Sequence, residues 1–278
     1  MNIPVFCYED VIKRAFMEDI NYSDVTTDYL IDENQVSNAV FMAKEVGVLC
    51  GIEVALHALR MLDPEAEFEI LKNDGDLLER SELIARVQGK TRALLKGERT
   101  ALNILQHMSG IATAACAAVA EVAGTRATIT DTRKTLPGLR ALEKYAVTIG
   151  GGKNHRFSLS DAAMVKDNHI DAVGSIAKAV ERLRQHIGHT VKIEVEARSL
   201  DEVRQALLAD VDIIMLDNMN VEEMKQAVDL VSGSAIIEAS GGLKSGKLRE
   251  VALTGVDVIS IGALTHSVKA LDISMKII

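Results

Sequence analysis

The second half of the chain alternates short apolar segments with longer amphipathic ones. The short segments predict six strands, at residues 127–131, 162–167, 191–196, 212–217, 235–240 and 257–262. Apolar residues recur at helical spacing between them, at residues 175–187, 200–210, 221–231 and 247–255. Strands separated by helices of about ten to fifteen residues are typical of parallel βαβ units. Because the strands are continuously apolar, we expect a sheet that is buried on both faces.

Each predicted strand ends in a polar residue or a glycine. These residues are Asp131, Lys166 with Asp167, Glu194 with Glu196, Asp217, Glu238 with Ser240, and Gly262. In a barrel of parallel strands all carboxyl ends meet at one mouth, where active sites lie. An open doubly wound sheet would concentrate function at one switch point instead. Polar groups at all six ends favour a barrel, which is either short or contains two strands that the pattern does not reveal.

Residues 1–100 have a different pattern. Residues 35–51 alternate like antiparallel strands, residues 52–62 predict a helix, and Asn73-Asp74-Gly75 predicts a turn. Residues 83–95 predict a strand followed by either a strand or a helix. We therefore expect an α+β domain at 1–100, joined by the tail 267–278, and a barrel domain at 101–266. A long helical pattern from Glu98 to Val122 connects the two.

Composition narrows the class of function. The chain of 278 residues has a net charge of -9, which disfavours a coat for nucleic acid. Aromatic residues are only 3% and Trp is absent, so a base-stacking platform is not expected either. Cys7, Cys50 and Cys116 are far apart and lack metal-ligand spacing, which indicates reduced thiols in a cytoplasmic protein. We expect neither a signal peptide nor a membrane span.

The segment 130–170 concentrates positive charge within this acidic chain. Its basic residues are Arg133, Lys134, Lys153, His155, Arg156 and Lys166. A local cationic cluster in an acidic protein is typical of a pocket for a small polyanion. Arginine offers a planar fork for a carboxylate or phosphate and lysine a compact point charge. The glycines at 150–152 would let the backbone approach a ligand closely. The alternative is a solvated basic loop.

Carboxylates and a lysine at the strand ends add candidate chemistry. Glu196 and Asp217 end successive strands, so we expect them to be neighbours. They could bind a hydrated Mg²⁺ ion, bind hydroxyl groups of a sugar, or form internal salt bridges. Lys166 is a ligand for anionic oxygen, a salt-bridge partner or a Schiff-base lysine. The side-chain directions of Glu194 and Glu238, in the same zone, do not follow from the pattern.

Glycines after the last two predicted strands suggest phosphate cradles. Ser240-Gly241-Gly242 follows the fifth strand and Gly262-Ala263 follows the sixth, where barrels often bind phosphate through backbone N–H groups. The alternative is a pair of simple turns. His155 and His266 lie near the proposed mouth. We expect structural or surface roles for the remaining candidates, which are His57, His107, His186 and His189.

Long ordered motifs resemble those of the quinolinate phosphoribosyltransferase family. They are GERTALNILQHMSGIAT, DTRKTLPGLRALEKYAVTIGGGKNHR, MVKDNHI, EVEARSL, MLDN and EASGGL, and the resemblance covers almost the full length. It implies an α/β protein with an N-terminal α+β sandwich domain followed by an incomplete, about six-stranded, parallel α/β barrel. It also implies a homodimer or a higher oligomer of dimers.

The resemblance further implies a reaction and residue roles. The reaction is Mg²⁺-dependent transfer from 5-phosphoribosyl-1-pyrophosphate (PRPP) to quinolinate, which releases pyrophosphate and CO₂ and gives nicotinate mononucleotide for NAD biosynthesis. Arg133, His155 and Arg156 bind the carboxylates of the substrate, and Arg99 reaches in from the partner subunit. Lys134 and Lys166 contact pyrophosphate and substrate, and Glu196 and Asp217 hold ribose hydroxyls and Mg²⁺. The residues that bind the 5′-phosphate are Ser240, Gly241, Gly242, Gly262 and Ala263.

Three other functions compete with this one. A related phosphoribosyltransferase could act on nicotinate or another ring acid, although the intact KDNHI and NHR segments disfavour the molybdenum-operon paralogue. A barrel lyase or aldolase could use Lys166 as a Schiff base. A non-catalytic oligomer could bind a phosphorylated metabolite, but it would not need both strand-end carboxylates.

Overall fold

The computed structural model describes residues 3–278. In chain order, its first elements are a 3₁₀ helix (Val5–Cys7), α1 (Glu9–Asp19), α2 (Thr27–Leu30), β1 (Val36–Ala43), β2 (Gly47–Val48), α3 (Ile52–Leu62), β3 (Glu67–Ile70), β4 (Leu77–Leu78), β5 (Leu83–Lys90) and α4 (Thr91–Glu121). The following elements are β6 (Thr128–Thr130), α5 (Arg140–Ile149), β7 (Ala163–Val165), α6 (Asp167–Val173), α7 (Ile176–Arg184), β8 (Ile193–Ala197), α8 (Leu200–Leu208), β9 (Ile213–Asp217), α9 (Val221–Val231), β10 (Ile236–Ser240), α10 (Leu248–Ala252), β11 (Val258–Ser260), α11 (Ala263–His266) and β12 (Ile273–Ile277).

The chain forms two compact units. Among the described residues, the first contains residues 3–116, 135–151 and 264–278, and the second contains residues 117–134 and 152–263. The sequence pattern assigns residues 101–116 and 135–151 to the barrel, whereas here they belong to the first unit. The boundaries of the two domains stay a prediction.

The first unit is built on an antiparallel sheet with strand order β12-β1-β5-β3. The C-terminal tail thus supplies its edge strand. The predicted helix at 52–62 is α3, and the predicted turn at Asn73-Asp74-Gly75 precedes β4. Asp74 also fixes the start of α3, because its Oδ1 accepts hydrogen bonds from the backbone N–H groups of Gly51 and Ile52 at 2.8 and 3.0 Å. Residues 83–95 form a strand followed directly by α4, which settles the alternative left open by the pattern.

α4 is the one helix among the described residues that is long and apolar enough to cross a membrane. Half of its most apolar window is buried inside the protein. The buried core helix of a soluble protein passes the same test of length and composition, so this observation is weak evidence for a span.

The second unit contains six parallel strands in the order β6-β11-β10-β9-β8-β7. This order follows the chain around a barrel, because β6 pairs with β11 instead of with β7. Within residues 3–278, β7 pairs with β8 alone among the strands, while a single bridge joins Thr130 of β6 to Lys153. The barrel therefore stays open between β6 and β7. All six predicted strands are present, and the predicted fold class is confirmed.

Polar side chains begin three of the barrel helices. Ser175, Ser199 and Asn220 accept hydrogen bonds from backbone N–H groups three residues later, at the starts of α7, α8 and α9. Such caps satisfy N–H groups that have no partner inside the helix. Because α8 and α9 start directly after the loops that follow β8 and β9, their caps also define where these two loops at the barrel mouth end.

Candidate active site

A cavity of about 490 Å³ lies at the carboxyl ends of the barrel strands. Ten of the thirteen residues proposed from the sequence line it: Arg133, Lys134, His155, Arg156, Lys166, Glu196, Asp217, Ser240, Gly241 and Gly242. Arg156 and Met164 also line a larger cavity of about 650 Å³, whose other walls are mostly apolar and include no carboxylate. Since the roles predicted from the sequence need cations for anionic groups and carboxylates for a sugar or Mg²⁺ in one site, the smaller cavity is the candidate site.

Strand register explains why these side chains converge. Glu196 and Glu238 both pair with Met215, and Ser240 pairs with Asp217. Successive side chains of a strand point to opposite faces, so Glu194 and Glu196 share the face of Asp217, Glu238 and Ser240. The register thus resolves the directions of Glu194 and Glu238, which the sequence pattern left open.

Lys166 and Glu196 meet at the mouth. Lys166 Nζ lies 2.6 Å from Glu196 Oε2, and the two side chains are 45% and 15% exposed. The Lys166 backbone N–H donates to His169 Nδ1 at 2.9 Å, at the start of α6. Of the three roles predicted for Lys166, the salt bridge is therefore observed. It leaves the ammonium group partly exposed to a ligand.

Asp131 organises the two cationic loops. It is fully buried after β6, and it accepts hydrogen bonds from Asn154 Nδ2 at 2.6 Å and from the His155 backbone N–H at 2.9 Å. This side chain holds the loop that carries His155 and Arg156 beside the loop that carries Arg133. The sequence marked Asp131 only as a polar strand end, because its partners lie more than twenty residues away.

His155 is packed against two buried glutamates. Its Nε2 lies 3.3 Å from Glu194 Oε2 and 3.4 Å from Glu238 Oε2. Burial disfavours the charged ring, but the two carboxylates more than offset this and raise the pKa of His155 to about 10. The Arg156 backbone N–H donates to Nδ1 at 2.8 Å, which opposes the shift because it requires a lone pair there. In either protonation state Nε2 carries a proton that faces the glutamates.

Arg156 is held by main-chain and sulfur contacts. Its Nη1 donates to the Ala162 carbonyl at 2.8 Å and its Nη2 to Met164 Sδ at 3.6 Å. Burial, and then the nearby Arg133 guanidinium, lower the pKa of Arg156. Two guanidinium groups close enough to repel each other indicate a binding site for anionic groups.

The backbone of the loop after β10 has a conformation that lets a ligand approach it closely. Gly241 and Gly242 have φ values of 92° and 59°, which favour glycine. A Cβ atom at Gly241 would lie 2.4 Å from Asn218 Oδ1. Asn218 itself is left-handed, with φ 56°, and its N–H donates to the Ser240 carbonyl at 3.0 Å. Asn218 lines the cavity, and the sequence analysis does not propose it as a site residue, although it follows a strand directly and ends the motif MLDN.

Three proposed residues do not line this cavity. Arg99 is exposed on α4 in the first unit, Gly262 is half-buried after β11, and Ala263 is exposed at the start of α11. Ser260, two residues before Gly262, does line it, and its hydroxyl donates to Ser240 Oγ at 3.0 Å. The roles proposed for Arg99, Gly262 and Ala263 stay predictions.

Histidines outside the cavity make structural or surface contacts. His107 Nε2 lies 2.9 Å from Oε1 of the fully buried Glu143, which is a structural contact. Glu143 Oε2 also accepts the Leu136 backbone N–H at 3.1 Å. His266 is exposed and contacts Ser267, and His186 contacts the Arg182 carbonyl.

Two sets of side chains have ligand chemistry for a cation. Glu196 and Asp217 both line the cavity and supply only oxygen atoms, which suits Mg²⁺ shared with phosphate oxygens. The donor atoms of His155, Glu194 and Glu238 lie within 4.8 Å of one another, the one such group of three among the described residues. That second set is deeper in the barrel and includes a nitrogen, so it fits Mg²⁺ less well.

Comparison with known proteins identifies the family. Residues 111–276 match the family model described as quinolinate phosphoribosyl transferase, C-terminal domain, and residues 24–109 match the model for its N-terminal domain. The chain belongs to the quinolinate phosphoribosyltransferase family. The family and the enzyme class expected from the motifs are both confirmed.

Individual members of the quinolinate phosphoribosyltransferase family align over nearly the whole chain. A Bacillus subtilis (strain 168) protein named probable nicotinate-nucleotide pyrophosphorylase (carboxylating) is 44% identical, over 96% of this chain and 92% of its own length. The crystal structure of NadC from Streptococcus pyogenes is 43% identical with a TM-score of 0.96, and covers 99% of this chain and 98% of its own. A nicotinate-nucleotide pyrophosphorylase structure from Ehrlichia chaffeensis is 39% identical with a TM-score of 0.95, over 100% of both chains.

Proposed function

We propose that this chain transfers the phosphoribosyl group of PRPP to quinolinate, with release of pyrophosphate and CO₂, to give nicotinate mononucleotide for NAD biosynthesis. The observation that carries the proposal is one cavity lined by Arg133, Lys134, Arg156 and Lys166 on the one hand and by Glu196 and Asp217 on the other. Cations suit the anionic groups of both substrates, and carboxylates suit the sugar between them. The family relationship supports the same reaction.

The cations of the cavity offset the repulsion between two negatively charged substrates. Quinolinate is a dicarboxylate and PRPP carries several phosphate charges, so bringing them together costs Coulomb repulsion. Arg133 and Arg156 repel each other in the absence of an anion, and a bound carboxylate would relieve this repulsion. We assign Arg133 and Arg156 to the quinolinate carboxylates, Lys134 and Lys166 to pyrophosphate, and Ser240 with Gly241 and Gly242 to the 5′-phosphate. Gly262 and Ala263 complete the phosphate assignment.

The carboxylates act on the sugar. The bond from C1 of the ribose to pyrophosphate breaks as the pyridine nitrogen bonds to C1, and positive charge develops on the sugar in between. Glu196 and Asp217 stabilise this charge and hold the ribose hydroxyls. The ring nitrogen of the adduct is cationic, so the ring accepts the electron pair of the breaking C2–carboxylate bond. CO₂ leaves and a proton takes its place at C2.

Glu196 and Asp217 would also hold the Mg²⁺ ion. When bound, Mg²⁺ neutralises charge on the pyrophosphate group. The salt bridge from Lys166 occupies one oxygen of Glu196, Oε2. This arrangement fits an ion that keeps several water ligands and needs only one or two carboxylates.

We further propose a homodimer, or an oligomer of dimers, in the cytoplasm. Four large side chains that are close together in the sequence, Tyr22, Val25, Tyr29 and Leu30, are 90%, 70%, 83% and 76% exposed, and exposed apolar side chains are typical of protein–protein interfaces. Arg99 would act at the partner's site. We propose no nucleic-acid or membrane partner, since the net charge of -9 disfavours both.

Release of labelled CO₂ tests the reaction. The purified protein is incubated with PRPP, Mg²⁺ and quinolinate labelled in the C2 carboxylate, and gas and mononucleotide are measured together. Equal amounts of the two are expected. Mononucleotide formed from nicotinate but not from quinolinate would instead point to a related transferase. A product trapped on Lys166 by borohydride would point to a lyase.

A further inference from the structure

Two buried carboxylates lie deeper in the barrel than the residues of its mouth. Glu194 and Glu238 are 1% and 3% exposed, and each precedes a mouth residue, Glu196 or Ser240, by two positions on the same face. Burying a carboxylate is costly unless a partner compensates for the lost hydration. Glu194 Oε1 and Oε2 and Glu238 Oε1 make no hydrogen bond of normal geometry within residues 3–278. Packing does not account for this pair.

The group between the two carboxylates is the His155 imidazole. Its Nε2 lies almost equally far from Glu194 Oε2 and Glu238 Oε2, at 3.3 and 3.4 Å. On the opposite edge of the ring, Nδ1 accepts the Arg156 backbone N–H at 2.8 Å. The His155 backbone N–H donates to Asp131 at 2.9 Å. The ring is thus held on both edges by the protein, and its orientation is tied to the backbone of Arg156.

We propose that Glu194 and Glu238 are positioning residues that hold His155 by its Nε2–H, and that His155 in turn fixes the backbone from which Arg156 reaches the substrate. The proposal rests on the proposed function, because Arg156 is assigned there to a quinolinate carboxylate. It changes the role of His155, whose Nε2 is directed at the glutamates instead of at the substrate. Glu238 lines the cavity, and neither glutamate is assigned a contact with the reacting atoms.

The charge of the pair supports the same role. Arg133 repels the Arg156 guanidinium, and Glu194 attracts it. A carboxylate held below the cavity thus offsets repulsion between the two arginines before an anion binds. Two carboxylate oxygens in contact with Nε2 also leave the planar ring fewer orientations than one would. The competing use of the cluster is a metal site, because the three donor atoms lie within 4.8 Å of one another.

Steady-state kinetics of four variants test the proposal. Glu238→Leu removes the carboxylate that accepts from His155, whereas Glu238→Gln and Glu194→Gln keep the shape of the side chain and remove its charge. Glu250→Gln is a control that removes one charge from an exposed position on α10. We expect Glu238→Leu to raise the KM for quinolinate about tenfold, because small misplacements of a binding group are costly. The KM for PRPP should change less than about twofold, the Gln variants should be milder, and the control should behave as the unaltered protein.

A double-mutant cycle shows whether the glutamate acts through His155. In a His155→Ala background, Glu238→Leu should have no further effect on the KM for quinolinate. Effects that multiply would overturn the proposal, as would a Glu238→Leu variant that loses stability with both KM values unchanged. If Glu238→Leu does not fold, the Glu194→Gln, Glu238→Gln double variant takes its place in the cycle. A stoichiometric metal ion found in this cluster by elemental analysis and anomalous scattering would also overturn it.

Nitrogen NMR of the histidine rings separates this proposal from the proposed function. Glu238→Gln should shift the Nε2 resonance of His155, assigned with His155→Ala, and Glu250→Gln should not. This readout needs no turnover. If the unaltered protein released no CO₂ from quinolinate, the proposed function would fail, whereas the ring shift would still support the contact and its absence would overturn it.

Discussion

Lys166 and Glu196 form a salt bridge, with 2.6 Å between Nζ and Oε2, at the ends of the neighbouring strands β7 and β8. The bridge joins a cation assigned to pyrophosphate to a carboxylate assigned to the ribose. In this contact Nζ faces a carboxylate oxygen, which is the arrangement expected of a cation that binds anionic oxygen. The geometry therefore favours binding of anions over Schiff-base chemistry, and it makes Glu196 central to the site.

Replacing Glu196 with alanine should affect turnover more than binding. Loss of one group that stabilises transition-state charge costs on the order of 10²–10³ in kcat. We expect a fall of that size, with the KM for quinolinate changed only a few-fold. Steady-state kinetics measure both, and Glu202→Ala on α8 is the control. A normal kcat in Glu196→Ala would show that Glu196 does not stabilise the transition state.

Asp217→Asn should increase the need for Mg²⁺. The substitution keeps the shape of the side chain but removes a negative charge that attracts the ion. In a titration of activity with MgCl₂ after chelation, we expect the half-maximal concentration to rise about tenfold, which corresponds to about 1.4 kcal/mol. Asp229→Asn, on α9, serves as the matched control. Full activity without Mg²⁺ would contradict the metal assignment itself.

Arg133→Ala should weaken quinolinate binding without unfolding the chain. Removing one partner of a charged contact costs about 2–5 kcal/mol. Calorimetry with quinolinate and a thermal unfolding curve separate binding from stability. Arg204→Ala, at an exposed position on α8, is the charge-matched control. Unchanged quinolinate affinity in Arg133→Ala would show that another cation holds the carboxylate.

Gly241→Ala should weaken the use of PRPP. The substitution strains a backbone with φ 92° and places Cβ 2.4 Å from Asn218 Oδ1. Gly246 is a sharp control, because its φ of 88° brings similar strain whereas a Cβ atom there meets nothing within 4 Å. We expect the KM for PRPP to rise at least about tenfold in Gly241→Ala and to stay nearly constant in Gly246→Ala. Equal effects would mean that backbone strain alone matters.

The stability that His155 contributes should fall as the pH rises. Against the effect of burial, Glu194 and Glu238 raise its pKa in the folded chain to about 10, above the ordinary value of 6.5, although the Arg156 N–H that Nδ1 accepts opposes this rise. Since the folded state binds the proton more tightly, the contribution is fully present below about pH 6.5 and is lost as the pH approaches 10. Urea unfolding of the unaltered protein and His155→Gln, from pH 6 to 10, measures the difference in unfolding free energy. A difference that does not vary with pH would contradict the raised pKa.

Several parts of the fold follow directly from local patterns. β9 and β10 were predicted at 212–217 and 235–240 and are observed at Ile213–Asp217 and Ile236–Ser240. Buried parallel strands are continuous apolar runs, so their limits are visible in the chain. α4 was predicted from Glu98 but begins at Thr91, because it follows β5 without a break that would mark its start.

The candidate site was partly visible for a related reason. Residues at the ends of parallel strands gather at one edge, so the strand pattern alone places Glu196 and Asp217 together. It does not place Asn218 there, because the importance of Asn218 comes from contact with Gly241, on the loop after another strand. The buried role of Asp131 likewise depends on a segment that returns more than twenty residues later.

The order of elements, the barrel class and many cavity residues could be inferred from the chain, because periodicity and strand ends are local properties, and the family could be inferred from the resemblance of its motifs. The folded molecule was needed to show that Lys166 pairs with Glu196, thirty positions away, and that Glu194 and Glu238 face His155. Those relationships depend on strand register and on how the barrel curves. A shift of one residue would turn each side chain to the opposite face.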